Sequence, residues 1–171
     1  MIVLMAGLPG TGKTTLAREL ARHTQGALLG KDEIRAALFA PQDIDYSVTQ
    51  DDFVMEVMLQ AARFLLQTSS ARKIFLDGRP FSRRYQIDRV LQFANELAQP
   101  CRIVECICSD ESARRRLDLE PDALHPARNR SFALYLEMKA TFEPITAEKI
   151  VVWTDNPLEL CIEQAKAAVA K

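Results

Sequence analysis

The stretch that most constrains the fold runs from residue 2 to residue 15. Its first five residues, IVLMA, are all apolar, which is typical of a strand buried on both faces of a sheet. The segment GLPGTGKTT follows at once, and a helical pattern begins near Thr14. The spacing Gly7-x-x-x-x-Gly12-Lys13-Thr14, between a strand and a helix, matches the phosphate-binding Walker A loop. The sequence therefore predicts a nucleoside triphosphate site at the end of the first strand.

The residue types in this loop fit the chemistry of phosphate binding. Gly7, Gly10 and Gly12 let backbone N–H groups turn toward phosphate oxygens that side chains would block. Lys13 supplies a point charge for the β- and γ-phosphates, and the Thr14 hydroxyl is a hard oxygen ligand for Mg²⁺. We expect the nucleotide to contact a continuous run of residues: Leu8, Pro9, Gly10, Thr11, Gly12, Lys13, Thr14 and Thr15.

Short β-rich runs alternate with longer helical runs along the whole chain. The β-rich runs are residues 2–6, 27–29, 73–77, 102–108 and 149–154. Strands that alternate with helices form a parallel sheet with helices on both faces. We therefore expect an α/β protein of three layers with a five-stranded parallel sheet. Residues 1–171 are expected to form one domain, since this length suits a single hydrophobic core.

Composition and charge narrow the class of protein. The formal net charge is -1, so no overall basic field attracts nucleic acid or an acidic membrane. No apolar run reaches the roughly 18 residues that span a bilayer, and the N-terminal segment lacks the basic region of a signal peptide. We expect a cytoplasmic protein with no membrane partner. The four cysteines include no C-x-x-C pair and are expected to be small buried side chains.

Charged residues follow the second and third predicted strands. Asp32-x-x-Arg35 comes just after residues 27–29, and Asp77 ends the run 73–77. Each has an ordinary structural explanation: Asp32 caps a short helix while Arg35 is solvated, and Asp77 is a turn residue before a glycine. The functional alternative is a ligand site, because open α/β sheets bind ligands beyond the carboxyl ends of their strands.

Two absences exclude other nucleotide-binding classes. The guanine-reading sequence Asn-Lys-x-Asp of GTPases is missing, and the chain is too short for the extra helical domain of most ring-forming ATPases. An arginine-rich segment at 114–116, after the fourth strand, completes a pattern with the Walker A loop, Asp32-x-x-Arg35 and Asp77. The chain resembles the P-loop kinases of the nucleoside-monophosphate-kinase-like fold. Within that group it is most similar to the small AAA_33 and polynucleotide-kinase-like ATP-dependent phosphotransferases. This resemblance implies the P-loop NTPase fold with the strand order 2-3-1-4-5.

The same resemblance implies roles for individual residues. Asp32 would accept the proton of an attacking hydroxyl group, and Arg35 would contact an anionic part of the acceptor. Asp77 would join Thr14 in holding Mg²⁺, as the Walker B-like acid of this fold. Together with Lys13, these residues would form the centre of a phosphoryl-transfer site.

A short lid at about residues 114–130 would cover that site. Arg116 and Arg128 are the expected sources of positive charge over the transferring phosphoryl group. Related lids often place a second arginine about four residues after the first, whereas this chain has Glu120 there.

These features predict a kinase that uses ATP and Mg²⁺ and phosphorylates a hydroxyl group of a small-molecule acceptor. In the nearest alternative, a nucleoside monophosphate kinase, Arg35 would bind the acceptor phosphate and Asp32 would not act as a base. A polynucleotide 5′-hydroxyl kinase is disfavoured by the net charge, since a polynucleotide needs a basic groove. A nucleotide-binding regulator without transfer would have no need of the Asp32 carboxylate. The sequence leaves open the identity of the acceptor and the choice between monomer and dimer.

Overall fold

The computed structural model describes residues 1–119 and 131–170. The strands among these residues are β1 Ile2–Ala6, β2 Ala27–Gly30, β3 Ile74–Asp77, β4 Cys101–Ile107 and β5 Lys149–Trp153. The α-helices are α1 Lys13–Thr24, α2 Lys31–Leu38, α3 Val48–Thr68, α4 Arg84–Glu96, α5 Asp110–Leu119, α6 Phe132–Ala140 and α7 Leu158–Val169. The predicted alternation of short strands and longer helices is confirmed.

The five described strands form one parallel sheet in the order β2-β3-β1-β4-β5. In the middle of the sheet, Leu4 of β1 lies beside Leu76 of β3 and Ile103 of β4. At its carboxyl edge, Gly30 lies beside Asp77, so β2 and β3 end at the same level. The expected α/β class and the strand order implied by the family resemblance are both confirmed. The loops that follow the parallel strands therefore emerge at one edge.

Strand β1 is buried on both faces, as its unbroken apolar sequence predicts. Successive side chains of a strand point to opposite faces of the sheet. Ile2 and Leu4 pack with α3 and α4, whereas Val3 and Met5 pack with α1 and α7. The helical partners on the two faces include Met58, Leu59, Phe93, Leu16, Leu20 and Ala165. Two apolar layers thus hold the central strand and position the edge at which its loop emerges.

The described residues also bear on the expectations from composition. Within residues 1–119 and 131–170, no helix has the length and apolarity needed to cross a membrane. All four cysteines are free, and Cys106 and Cys161 are buried. Burial raises the pKa of the Cys106 thiol to about 12 and that of Cys101 to about 11. These two thiols therefore stay protonated at neutral pH and act as small side chains in the packing.

Candidate active site

The phosphate loop, residues 7–14, joins the end of β1 to the first turn of α1. Its backbone takes left-handed φ angles at three positions: Gly7, Gly10 and Gly12. The Leu8 carbonyl oxygen accepts a hydrogen bond from the Thr11 hydroxyl at 2.7 Å and another from Lys13 Nζ at 2.7 Å. Lys13 is buried within the loop that it is predicted to serve. The predicted nucleotide contacts, residues 8–15, therefore form one continuous segment at the carboxyl edge of the sheet.

Gly7 lies where no side chain fits. Its φ is 131°, and a Cβ atom there would lie 2.2 Å from the carbonyl oxygen of Cys106. Because that oxygen belongs to the backbone of β4, we expect Gly7→Ala to lower the free energy of unfolding by about 3 kcal/mol. Gly12→Ala is the matched control in urea denaturation. Its φ is also positive, but a Cβ atom at Gly12 would lie 3.6 Å from its nearest neighbour. We therefore expect the free energy of unfolding to fall by only about 1 kcal/mol. Equal losses of unfolding free energy in the two variants would show that steric overlap at Gly7 is not the cause.

Strand β3 brings Asp77 to the same edge. The side chain is buried, and its Oδ1 has no hydrogen-bond partner among the residues that the structure describes. Burial is the main cause that raises the pKa of Cys106, but Lys13 lowers it and Asp77 raises it further. Lys13 and Asp77 therefore both lie close to the Cys106 thiol. A buried carboxylate oxygen without a protein partner is suited to a hard cation or to the water of its shell.

The residues at this edge suit a Mg²⁺ ion that is held jointly by the protein and by nucleotide phosphates. Mg²⁺ keeps several waters and is usually held by one or two protein groups together with substrate phosphates. Thr14 in the phosphate loop offers a hydroxyl oxygen, and Asp77 offers the unpartnered carboxylate oxygen. The described part of the chain has no cluster of three or more His, Cys, Asp or Glu side chains that could hold a metal ion. The donor set therefore suits an ion that shares its ligands with a nucleotide.

A charged cluster, consisting of Lys31, Asp32, Arg35 and Asp51, lies beyond the ends of β2 and β3. Arg35 is 2% exposed and donates hydrogen bonds from Nη1 to Asp32 Oδ1 at 3.0 Å and from Nη2 to Asp51 Oδ1. Lys31 Nζ donates to both carboxylate oxygens of Asp51 at 2.9 Å. Two basic side chains thus face two carboxylates. Arg35 is not the solvated surface residue of the ordinary structural explanation.

The start of α2 packs directly on the turn after β3. A Cβ atom at Gly78, where φ is 95°, would lie 2.9 Å from the backbone nitrogen of Lys31, so the close approach requires glycine. Burial lowers the pKa of Lys31 to about 7, against the attraction of Asp32 and, more weakly, of Asp77. Asp77 and the charged cluster therefore belong to one electrostatic environment.

Asp32 has one carboxylate oxygen engaged and the other accessible. Oδ1 accepts the hydrogen bond from Arg35 and lies 3.8 Å from Lys31 Nζ. Oδ2 makes no hydrogen bond or ion pair with any residue in the described ranges. An oriented carboxylate with one uncommitted oxygen is suited to accept a proton from a bound hydroxyl group.

Arg116, on α5, lies against the phosphate loop. Its Nη1 donates to the Gly10 carbonyl oxygen at 3.3 Å and to Thr154 Oγ1 at 3.0 Å. Its Nη2 donates to the Thr154 carbonyl oxygen at 2.6 Å and lies 3.7 Å from Asp155 Oδ1. Of the two arginines predicted in the lid, this one reaches the loop. Arg128, with the rest of the lid after residue 119, lies outside the described residues.

The sequence patterns did not indicate three residues of this site: Lys31, Asp51 and Thr154. Asp77 is the last residue of β3, and Thr154 directly follows β5 at the same edge of the sheet. The rule that ligands bind beyond the carboxyl ends of the strands therefore applies to Thr154 as well. Asp51 stands in the first turn of α3, twenty residues from the lysine that it binds. No local pattern connects these two positions, because only the packing of α3 beside α2 brings them together.

Residues 2–145 match the AAA domain family AAA_33. This chain belongs to the AAA_33 family. The matched range of the AAA_33 protein includes the phosphate loop, the charged cluster and Asp77, and it ends before β5. No curated protein matches the chain at a significant level.

Solved structures share the fold of this AAA_33 protein over nearly their whole length. APS kinase CysC of Mycobacterium tuberculosis, in complex with AMPPNP and APS, is 12% identical, with 99% and 97% of the two chains covered and a TM-score of 0.72. A gluconokinase from Sinorhizobium meliloti 1021 is 17% identical, with 99% and 90% covered and a TM-score of 0.69. Kti12 of Chaetomium thermophilum, in complex with ADP-AlF3, is 16% identical, with 100% of both chains covered and a TM-score of 0.70. At these identities the similarity is one of fold, namely the α/β P-loop NTPase fold.

Proposed function

We propose that this AAA_33 protein is a kinase that transfers the γ-phosphoryl group of ATP to a hydroxyl group of a small-molecule acceptor. The observation that carries the proposal is the position of Asp32. Its uncommitted Oδ2 belongs to a cluster that adjoins Asp77, at the same sheet edge as the phosphate loop. A protein that only binds nucleotide has no need of an oriented carboxylate on the acceptor side. The family match and the kinase fold agree with this function.

In the proposed reaction, the acceptor oxygen bonds to the γ-phosphorus as the bond from that phosphorus to the ADP oxygen breaks. The hydroxyl proton passes to Oδ2 of Asp32. Most of the catalysis in phosphoryl transfer is positioning and neutralisation of charge. Lys13 and the loop N–H groups hold the phosphates, and Arg116, with Arg128 from the lid, neutralises charge on the transferring group. When bound through Thr14 and Asp77, Mg²⁺ would neutralise further phosphate charge.

In this proposal Arg35 positions Asp32. Both of its Nη groups are engaged by carboxylates, and its side chain is almost fully buried. The bond to Asp32 Oδ1 fixes the orientation of that carboxylate and leaves Oδ2 for the acceptor. This role departs from the contact with an anionic acceptor that the family resemblance implies.

A transfer assay tests the function. The protein is incubated with γ-labelled ATP and Mg²⁺ and with separate pools of nucleosides, nucleoside monophosphates, sugars, amino alcohols and 5′-hydroxyl oligonucleotides. Label that moves to a small hydroxyl compound supports the proposal. Transfer to monophosphates alone would identify a nucleoside monophosphate kinase, and transfer to oligonucleotides alone a polynucleotide kinase. ATP binding without transfer to any pool would instead identify a regulator.

Asp77→Asn tests the metal site separately. We expect it to raise the Mg²⁺ concentration for half-maximal transfer by about tenfold or more, because an amide oxygen is a weaker ligand than a carboxylate. Asp77 Oδ1 has no partner among the described residues, so the free energy of unfolding without nucleotide is expected to fall by no more than about 1 kcal/mol. A large loss of stability with an unchanged Mg²⁺ requirement would identify Asp77 as a structural residue instead.

A further inference from the structure

A groove of about 560 Å³ opens between α3 and α4. Two of its lining residues, Asp52 and Arg79, connect it to the charged cluster. Asp52 directly follows Asp51 on α3. Arg79 directly follows Gly78, where an added Cβ atom would lie 2.9 Å from the backbone nitrogen of Lys31. The groove therefore adjoins the side of the site on which the acceptor would bind.

Both guanidinium groups that line the groove are already bound by carboxylates. Arg79 Nη2 lies 2.6 Å from Asp52 Oδ1, and the Arg79 side chain is 5% exposed. Arg89 donates from Nε and Nη2 to the two carboxylate oxygens of Glu56 at 2.7 and 2.6 Å. Asp88 adds a further carboxylate to the lining. The described lining thus carries three carboxylates and two guanidinium groups, so it has no excess of positive charge for an anion.

The rest of the groove is largely apolar and aromatic. Phe53 on α3 and Tyr85 on α4 are both about half exposed, at 53% and 49%. Buried apolar residues also line it: Met55, Leu59 and Val90. Apolar walls with a few polar groups are typical of sites for small organic molecules. Exposed aromatic faces on both helices suit a ligand that has an apolar face of its own.

We propose that this groove binds the acceptor, and that the acceptor is an uncharged hydroxyl compound with an apolar face. The inference rests on the proposed kinase function and names the substrate class of the same site. An anionic acceptor would have to compete with Asp52 for the buried Arg79 guanidinium group, which lowers its affinity. The Nη groups of Arg35 are likewise bound, by Asp32 and Asp51, and its buried Nε has no hydrogen-bond partner among the described residues. A neutral acceptor leaves these ion pairs intact and packs against the ring of Tyr85.

The first test compares matched acceptors with the unmodified protein. One set is a hexose, the corresponding hexonic acid and the 2-amino hexose, and a second is a phenyl-substituted diol and the hydroxy acid of the same skeleton. We expect kcat/KM for the neutral member to exceed that for its anionic counterpart by about 10²-fold. Equal or better use of the anionic members, or of the cationic 2-amino hexose, overturns the inference and leaves the kinase function intact. ATP binding without transfer to any hydroxyl compound overturns the proposed function, and the inference with it.

The second test removes the carboxylate that pairs with Arg79 in the groove. Asp52→Asn removes the carboxylate that binds Arg79, so we expect kcat/KM for the anionic member to rise about tenfold relative to the neutral one. Glu96→Gln is the matched control. It makes the same change in net charge on α4, but Glu96 does not line the groove and pairs with Arg63 at 3.3 Å, so we expect no change in preference. Equal shifts in both variants, or no shift in Asp52→Asn, would overturn the assignment of the groove.

Discussion

Asp32→Asn is expected to lower the turnover of phosphoryl transfer by about 10²-fold or more while leaving the affinity for ATP unchanged. The substitution keeps the shape of the side chain and its oxygen acceptor for Arg35, but it removes the group that would receive the hydroxyl proton. Affinity for ATP is expected to hold because the predicted nucleotide contacts lie in the phosphate loop. Steady-state kinetics with a hydroxyl acceptor, together with a binding titration of ATP, measures both quantities.

Glu33→Gln is the matched control for this variant. Glu33 is the next residue on α2, and its side chain is 53% exposed and pairs with Arg18 on the surface. The control therefore makes the same change in charge outside the proposed machinery, and we expect near-normal turnover. Near-normal turnover in Asp32→Asn as well would show that Asp32 does not act as the base.

Arg35→Met is expected to lower both stability and transfer. The side chain is 2% exposed and binds carboxylates from two helices, Asp32 on α2 and Asp51 on α3. Its removal takes from Asp32 its hydrogen-bond donor and from Asp51 one of its two basic partners, which costs about 3 kcal/mol of unfolding free energy. Transfer is expected to fall by at least about tenfold at a temperature where the variant is folded, because Asp32 is no longer held in place. Urea denaturation and kinetics at saturating ATP measure the two effects.

Arg22→Met provides the comparison for an exposed ion pair. Arg22 on α1 pairs with Glu19 at 2.8 Å, and its side chain is 68% exposed. Exposed ion pairs contribute little to stability, so we expect the free energy of unfolding to change by no more than about 0.5 kcal/mol and transfer to be unaffected. Similar stability losses in the two variants would show that the buried pairs of Arg35 are no stronger than a surface pair. Loss of stability without loss of transfer would show that Arg35 does not position Asp32.

The expected results for Asp32 and Arg35 distinguish a residue that accepts the proton from a residue that positions it. Asp32→Asn removes a proton acceptor but leaves Arg35 bound to Asp51, so its effect should fall on turnover rather than on folding. Arg35→Met is expected to affect both turnover and folding stability, since the same guanidinium group connects α2 to α3 and orients Asp32. Two residues three apart on one helix would thus have different measurable roles.

Much of the fold follows from local patterns. The apolar run of β1 is buried on both faces as predicted, because its position at the centre of a parallel sheet leaves neither face in water. The phosphate loop was predictable because glycine spacing and flanking elements are local features. The order of the strands could not be predicted in this way, since periodicity indicates where strands occur but not which strands pair. That order came from the family resemblance, and the pairing confirms it.

The sequence by itself determined that a phosphate loop follows the first strand, that Asp32 and Arg35 follow the second, and that Asp77 ends the third. It also determined that these residues would lie at one edge, since parallel strands end together. Only the tertiary structure decided what Arg35 does there. Asp51 reaches Arg35 from the first turn of α3, sixteen residues further along the chain, and buries a pair that the sequence allowed to be a solvated one. The physical reason is that helix packing, and not sequence spacing, sets which charges meet away from water.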